Sequence, residues 1–143
     1  MSVYLDASVL LPVLVQEPAT AAVEAYLTRS GPELLISDFA AAEVASALSR
    51  LVRMRLLDAE DATARLGDFE IWRAATTSTI DIQPADARLA YAFVRRFDLR
   101  LRAPDALHIA IARRLDIALV TLDRRLADAA AELGVPAECP ISS

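Results

Sequence analysis

Four acidic residues stand where carboxylates of a folded chain can act together. Asp6 and Asp123 each follow a short apolar run of the kind that forms a buried strand. Glu43 and Asp105 each stand in the first turns of a segment with helical periodicity. Two carboxylates about 5 Å apart repel by roughly 3 kcal/mol at an effective dielectric near 20, so a cluster of them needs a cation. Oxygen ligands favour Mg²⁺ or Mn²⁺, and such an ion can polarise a phosphodiester and activate water.

The residues that the chain lacks exclude other chemistry. All 15 basic residues are arginine, so Schiff-base reactions and lysine-dependent phosphate loops are excluded. The only cysteine is Cys139, which excludes an internal disulfide and a cysteine metal cluster. The net charge of -5 is atypical of a non-specific nucleic-acid binder. It is compatible with a nuclease whose acids are neutralised by metal.

Hydrophobic patterning predicts the elements that hold these acids. Apolar strands are predicted at residues 2–5, 34–37, 79–82 and 117–120, with a weak fifth near 137–139. They alternate with helices, which indicates an α/β fold: a three-layer α/β/α sandwich around a mainly parallel sheet of four to five strands. The carboxyl ends of parallel strands meet at one edge. The four acids can therefore converge there, although they are far apart in sequence.

Turn and cap residues set the helix boundaries. Pro18 suits the first position of a helix reaching about Arg29, and Ser37 or Asp38 caps a long helix continuing to about residue 56. Asp58 caps the next helix, and Pro84 opens one that runs to about residue 97. Within the Asp58 helix, an apolar stripe is typical of a core or a partner-binding groove rather than a base-stacking platform; it consists of Leu66, Phe69 and Trp72.

Several candidate site residues have a simpler structural explanation. Asp6 can cap the helix that begins near Ala7, since Asp is a favoured N-cap. Glu43 can act through its favourable interaction with the helix dipole alone. His108, three residues after Asp105, fits a packed or supporting residue better than a general base. The residues alone leave these alternatives open.

No stretch of the sequence has the character of a membrane segment. The longest apolar run near the start, residues 8–15, contains Pro12 and is far shorter than the roughly 20 residues that a membrane span needs. The start lacks a basic region, and Asp6 interrupts its apolar stretch, so a secretory signal is not expected. We therefore expect a cytoplasmic protein.

Four motifs, taken in order, resemble those of one enzyme family. They are YLDASVL around Asp6, AAAEVASAL around Glu43, RAPDALHIA around Asp105 and LVTLDRRLADAA around Asp123. This set resembles the PIN-domain ribonucleases and, more narrowly, the VapC-type toxins of bacterial toxin–antitoxin pairs. The resemblance covers nearly the whole chain, so residues 1–143 are expected to form a single PIN-like ribonuclease domain.

The resemblance implies an endoribonuclease that depends on Mg²⁺ or Mn²⁺ and hydrolyses RNA phosphodiester bonds. The implied catalytic and metal-binding residues are Asp6, Glu43, Asp105 and Asp123. Ser8 and Thr121 match the hydroxyl positions that would steady these acids or a metal-bound water. The implied partners are an RNA substrate, a cognate antitoxin and a second copy in a homodimer, with DNA reached only through the antitoxin and no membrane.

Other assignments stay open at this stage. Arg50, Arg100 and Arg102 are candidates for RNA phosphate contacts, although exposed arginines usually serve solvation. The segment from Asp58 to Ser78 is not assigned to dimer, antitoxin or core. A non-catalytic PIN-fold module that binds RNA or protein is the alternative function. A dehalogenase-like phosphatase is disfavoured because the chain has Ser8 in place of the second Asp and has no lysine.

Overall fold

One parallel sheet forms the centre of the fold in a computed structural model that describes residues 1–29 and 31–141. Its strands within those ranges are β1 (Ser2–Leu5), β2 (Glu33–Ser37), β3 (Thr77–Ile80), β4 (Ala118–Val120) and β5 (Ala137–Glu138). They lie in the order β3-β2-β1-β4-β5, and every pair is parallel. The first strand is therefore central, and its carboxyl end lies between those of β2 and β4.

The helices pack on both faces of this sheet. They are α1 (Ala7–Leu14), α2 (Thr20–Thr28), α3 (Asp38–Arg53), α4 (Ala59–Thr76), α5 (Pro84–Val94), α6 (Ala103–Leu115) and α7 (Arg124–Glu132), with a short 3-10 helix at Phe97–Leu99. Within the described ranges, no helix combines the length and the apolar character that crossing a bilayer requires.

The alternation of side chains along β1 divides the core in two. Val3 and Leu5 face a cluster with residues of α1 to α4, whereas Tyr4 faces a cluster with residues of α5 to α7. A central strand that is covered on both faces needs apolar residues at every position, which explains why β1 lacks polar alternation. The predicted three-layer α/β/α fold is confirmed.

Several predicted boundaries are wrong by two or three residues. The third strand was expected at residues 79–82 but is Thr77–Ile80, because it pairs with β2 directly after α4 and because the Asp81 carbonyl accepts a hydrogen bond from Arg114 Nη2 (2.9 Å). The second helix begins at Thr20 rather than Pro18; the buried Thr20 hydroxyl accepts the backbone N–H of Glu17 (3.0 Å).

Two helices end earlier than the pattern predicts. The third helix ends at Arg53 rather than near residue 56, where Arg55 adopts a left-handed φ of 58°. The fifth ends at Val94 rather than near residue 97, where a separate 3-10 helix begins at Phe97. The expected apolar stripe of α4 packs into the core, with Phe69 buried and Leu66 and Trp72 partly buried against it.

The N-cap of α4 gives a first testable result. Asp58 Oδ1 accepts the backbone N–H of Asp61 at 2.7 Å, as predicted for a cap. We expect Asp58→Ala to lower the free energy of unfolding by about 1 kcal/mol. Glu60→Ala is the matched control, because Glu60 lies in the same first turn and is not the cap. Urea denaturation checks both variants, and an equal loss in the two would contradict a specific role for the cap.

Candidate functional site

Asp6 lies at the carboxyl end of the central strand and is buried, with 5% of its surface exposed. It caps α1, because Oδ1 accepts the Ser8 backbone N–H at 3.0 Å. The Asp6 backbone N–H donates to the Val120 carbonyl of the neighbouring strand at 3.1 Å. The cap that the sequence allowed is thus present, and it orients the carboxylate at the edge where β1 and β4 end. Capping uses part of this group's bonding capacity and is compatible with a ligand role.

A chain of hydroxyl groups links Asp6 to Asp123. Ser8 Oγ donates to Asp6 Oδ1 at 2.5 Å and lies 3.2 Å from Thr121 Oγ1, which accepts the backbone N–H of Asp123 at 3.1 Å. A hydroxyl has only one proton, and the proton of Ser8 is used on Asp6. Thr121 is therefore the donor to Ser8. The dipoles all point toward the Asp6 carboxylate, which they stabilise in its ionised form.

Burial opposes that ionised form. Desolvation raises the pKa of Asp6 above its usual value, and the hydrogen bonds from Ser8 and Thr121 only partly offset this effect. A buried carboxyl with a raised pKa is a recurrent mark of functional sites. A nearby divalent cation would favour the charged form.

Asp123 lies at the same edge of the sheet, just after the end of β4. It is the N-cap of α7, and its Oδ1 accepts the backbone N–H groups of Arg125 (3.0 Å) and Leu126 (3.2 Å). The cap holds the carboxylate beside the end of the strand. Asp123 is half-buried, so solvent can still reach it.

Glu43 is joined to His108 rather than to another acid. His108 Nε2 forms a short hydrogen bond with Glu43 Oε1, and Nδ1 lies 2.7 Å from the hydroxyl of Tyr4. The Tyr4 hydroxyl also lies 2.8 Å from Ser37 Oγ. His108 is 3% exposed and is packed between the rings of Tyr4 and Phe39. The histidine is therefore a packed residue that touches one of the candidate acids, as the sequence favoured.

Sequence reasoning did not find Tyr4 or the second role of Ser37. Ser37 was identified only as a cap, which the structure confirms through the Ala40 N–H at 3.1 Å. A tyrosine in a strand that is covered on both faces needs a partner for its hydroxyl, and this was the available signal. Burial raises the pKa of the Tyr4 phenol, so the group stays protonated. Its partner His108 is 104 residues away in the sequence, and only the tertiary fold reveals it.

Asp105 lies in the first turn of α6, three residues before His108, so the two side chains share one side of the helix. It is half-buried, and its Oδ2 accepts the Arg102 backbone N–H over a long 3.4 Å. Its carboxylate lies at the helix N-terminus, where the helix dipole favours negative charge. Three of the four acids thus lie in the first turns or caps of helices that start at the carboxyl edge.

The structure relates the four acids in two pairs. Asp6 and Asp123 are connected through hydroxyls, and Glu43 and Asp105 both neighbour His108. Within residues 1–29 and 31–141, no three acidic, histidine or cysteine side chains are arranged to hold one ion together. The donor chemistry nevertheless fits a hard cation, because the groups are carboxylate oxygens and the most buried of them, Asp6, has a raised pKa.

The candidate RNA-binding arginines lie in two places. Arg100 and Arg102 are exposed in the segment that leads into α6 and Asp105, and neither forms an ion pair with the described residues. Arg50 lies on α3 and lines a cavity of about 350 Å³ beside α1, together with Glu17. Arg100 and Arg102 are thus close in sequence to the candidate ligand Asp105.

Comparison with known proteins agrees with this architecture. A family model for the PIN domain matches residues 3–132. The chain therefore belongs to the PIN-domain family. It is similar to Ribonuclease VapC46 of Mycobacterium tuberculosis, with 31% identity over an alignment that covers 97% of this chain and 98% of the relative. It is thus a homologue of the VapC-type ribonuclease toxins, as the four motifs indicated.

Solved structures share the fold at lower identity. VapC20 of Mycobacterium tuberculosis, a sarcin–ricin loop cleaving toxin, superposes with a TM-score of 0.71 and 17% identity, covering 90% of this chain and 95% of that one. A chain of a toxin–antitoxin complex from Klebsiella pneumoniae gives a TM-score of 0.69 and 19% identity, covering 99% and 100%. These similarities establish the PIN fold.

Proposed function

We propose that this chain is a divalent-metal-dependent endoribonuclease and the toxin of a toxin–antitoxin pair, formed by one domain over residues 1–143. The observation that carries the proposal is the buried Asp6 at the end of the central strand, joined through Ser8 and Thr121 to the backbone N–H of Asp123. The full-length similarity to a VapC ribonuclease supports the same conclusion. Capping α1 requires only a polar side chain such as Asn or Ser, so a structural role alone does not explain a carboxylate at a place where burial raises its pKa.

Asp6, Glu43, Asp105 and Asp123 would hold Mg²⁺ or Mn²⁺. When bound, the ion supplies Lewis-acid stabilisation of the charge that develops on the phosphodiester. The chain's own residues orient the ligands: the α1 cap and the Ser8 hydroxyl fix Asp6, and two backbone N–H groups fix Asp123. These hydrogen bonds restrict the rotation of the two carboxylates before substrate arrives.

The direct test is RNA cleavage by the purified protein with and without metal. We expect EDTA to abolish cleavage and an excess of Mg²⁺ or Mn²⁺ to restore it. Asp105→Asn should reduce cleavage strongly, whereas Asp128→Asn, at an exposed position of α7, should not. Cleavage that resists EDTA would overturn the metal dependence. Metal binding without any cleavage of diverse RNAs would favour the non-catalytic PIN-fold module instead.

The proposed role as a toxin implies an RNA substrate, a second copy of the chain and an antitoxin. The chain would act in the cytoplasm on RNA, assemble as a homodimer and be inhibited by a cognate antitoxin, with DNA contacted only through that antitoxin. Similarity to a chain of a toxin–antitoxin complex supports the proposal that this chain binds an antitoxin. Expression of the chain alone should arrest growth, and co-expression of a small protein encoded beside it should restore growth. Unimpaired growth during expression of active protein would contradict the toxin role.

The arginines before α6 supply a further prediction. If Arg100 and Arg102 contact phosphates, Arg100→Ala and Arg102→Ala should each raise the KM for RNA severalfold and reduce the slope of affinity against salt by about 1. Arg53→Ala is the charge-matched control. Arg53 lies in the last turn of α3, about 15 Å along the helix axis from Glu43. Steady-state kinetics at several salt concentrations check this, and equal effects in all three variants would indicate only a change of net charge.

A further inference from the structure

A series of hydrogen bonds leaves the start of α3 and returns to the same helix at Glu43. Ser37 Oγ, the N-cap of α3, lies 2.8 Å from the hydroxyl of Tyr4 on β1. That hydroxyl lies 2.7 Å from Nδ1 of His108 on α6, and Nε2 of the same ring meets Glu43 Oε1 on α3. The bonds connect β1, the end of β2, α3 and α6, and Tyr4, Ser37 and His108 are all buried.

One arrangement of protons satisfies every group in this series. Ser37 Oγ accepts the backbone N–H of Ala40 at 3.1 Å, so its own proton is free to be donated to Tyr4. Tyr4 then donates its single proton to Nδ1 of His108. The ring is left with its proton on Nε2, which donates to the Glu43 carboxylate. Every donor and acceptor is satisfied in one direction.

The same bonds fix the spacing of the elements that carry the candidate ligands. Tyr4 lies two residues before Asp6 on β1, and His108 lies three residues after Asp105 on α6. Loss of the Tyr4–His108 bond would therefore first change the orientation of Glu43 and then the packing of α6 beside β1. Groups that hold metal ligands in place in this manner affect metal affinity without touching the ion.

We propose that Tyr4 and His108 are positioning residues that hold the Glu43 carboxylate in the orientation required for divalent-cation binding. This inference rests on the proposed function, since it concerns the same acidic site. His108 touches Glu43 and acts through it. Tyr4 acts one step further back, by fixing the ring of His108 and its tautomer.

The chain contains a single histidine, which makes the first test direct. In tag-free protein labelled with ¹⁵N-histidine, all imidazole signals belong to His108. We expect the ¹⁵N spectrum to show a proton on Nε2 in wild type, and Tyr4→Phe should shift the Nδ1 resonance. A ring that carries its proton on Nδ1 alone would overturn the inference, because Nε2 could not then donate to Glu43. This readout requires neither metal nor RNA.

The second test measures Mn²⁺ affinity by calorimetry in the absence of RNA. Tyr4→Phe removes one oxygen and should weaken Mn²⁺ binding about 10-fold. Tyr91→Phe, at a ring that is 69% exposed, should leave binding unchanged. In a Glu43→Ala background, Tyr4→Phe should cause no further loss, because its effect passes through Glu43. An equal loss in that background would overturn the inference.

The role of His108 is tested with one variant that retains an N–H donor and one that does not. His108→Gln retains an amide N–H that can reach Glu43, and it should keep more Mn²⁺ affinity than His108→Leu, which retains none. Thermal denaturation of both variants identifies any loss of folding. Equal affinity in two folded variants would overturn the role of the Nε2 donor.

The outcomes separate the two proposals. If wild type binds Mn²⁺ and Tyr4→Phe binds it equally well, the positioning role fails while the metal-dependent function stands. If wild type binds no Mn²⁺ at millimolar concentration, the proposed function fails and this inference fails with it.

Discussion

Asp6→Asn should strongly reduce RNA cleavage and, at the same time, make the metal-free protein more stable. The substitution removes a charge from a side chain that is 5% exposed. Burial opposes that charge, as the raised pKa of Asp6 records. We expect cleavage to fall by on the order of 100-fold or more, the usual cost of losing one preorganised electrostatic group. The free energy of unfolding should rise by about 1 kcal/mol, which corresponds to roughly 3–5 °C in Tm.

The gain in stability should depend on pH in a defined direction. Because the pKa of Asp6 is higher in the folded state than in the unfolded state, its contribution to stability is fully present below the unfolded value of 3.8 and is lost as pH rises through the folded value. Asparagine does not ionise. The stability of Asp6→Asn relative to wild type should therefore increase from acid toward neutral pH, as measured by thermal denaturation in EDTA.

Mg²⁺ should reverse the order of stability. Wild type should gain Tm as Mg²⁺ is added, because the ion binds the folded state, and Asp6→Asn should gain much less. Asp128→Asn is the matched control, since it removes the same charge from an exposed position of α7. Three results would count against the role of Asp6: retained cleavage, a loss of stability in EDTA, or an equal Mg²⁺ response in the two variants.

Local chemistry explains why the helix caps and the position of Asp6 at a strand end could be predicted from sequence. Asp6, Asp58 and Ser37 cap helices that start directly after them, and a cap is a relation between residues two or three apart. The apolar run of β1 and its place in the centre of a parallel sheet follow in the same way from short-range pattern. The edge at which Asp6 lies is then fixed by topology, since parallel strands all end on one side.

Interactions between distant residues could not be predicted in this way. The Tyr4–His108 bond spans 104 residues, and the Ser8–Thr121 contact spans 113. The register of β3 also depends on its pairing with Leu34 and on where α4 ends, which shifted the strand by two residues from its expected place. Hydrophobic pattern specifies which face of an element is buried but not which partner it meets.

The ion pair between Asp86 and Arg114 is another feature that the sequence concealed, and it predicts a large loss of stability. Arg114 donates from Nε to Asp86 Oδ1 (2.7 Å) and from Nη2 to Oδ2 (3.1 Å), and it also binds the Asp81 carbonyl. It thereby joins α5 to α6. We expect Arg114→Met to lower the free energy of unfolding by about 3 kcal/mol, a factor of about 100 in the folded-to-unfolded ratio.

The size of this effect follows from an asymmetry of burial. Asp86 is 1% exposed, whereas the Arg114 side chain is 30% exposed. Removing the arginine leaves a buried charge without its partner. Among residues 1–29 and 31–141, only the Gln83 N–H at 2.8 Å then continues to bind this carboxylate. Replacing both partners, as in Asp86→Leu combined with Arg114→Met, should therefore recover part of the loss.

The neighbouring Arg113 provides the control. Arg113 is exposed and donates to the Leu133 carbonyl at 2.9 Å, so Arg113→Met removes the same charge without leaving a buried carboxylate unpaired. Urea denaturation should give a loss well below 1 kcal/mol for this variant. Two results would show that the unpaired charge of Asp86 is not the cause. One is an equal loss of stability in Arg113→Met and Arg114→Met. The other is a lower free energy of unfolding in the double variant at positions 86 and 114 than in Arg114→Met alone. The packing of α5 against α6 would then have to account for the loss.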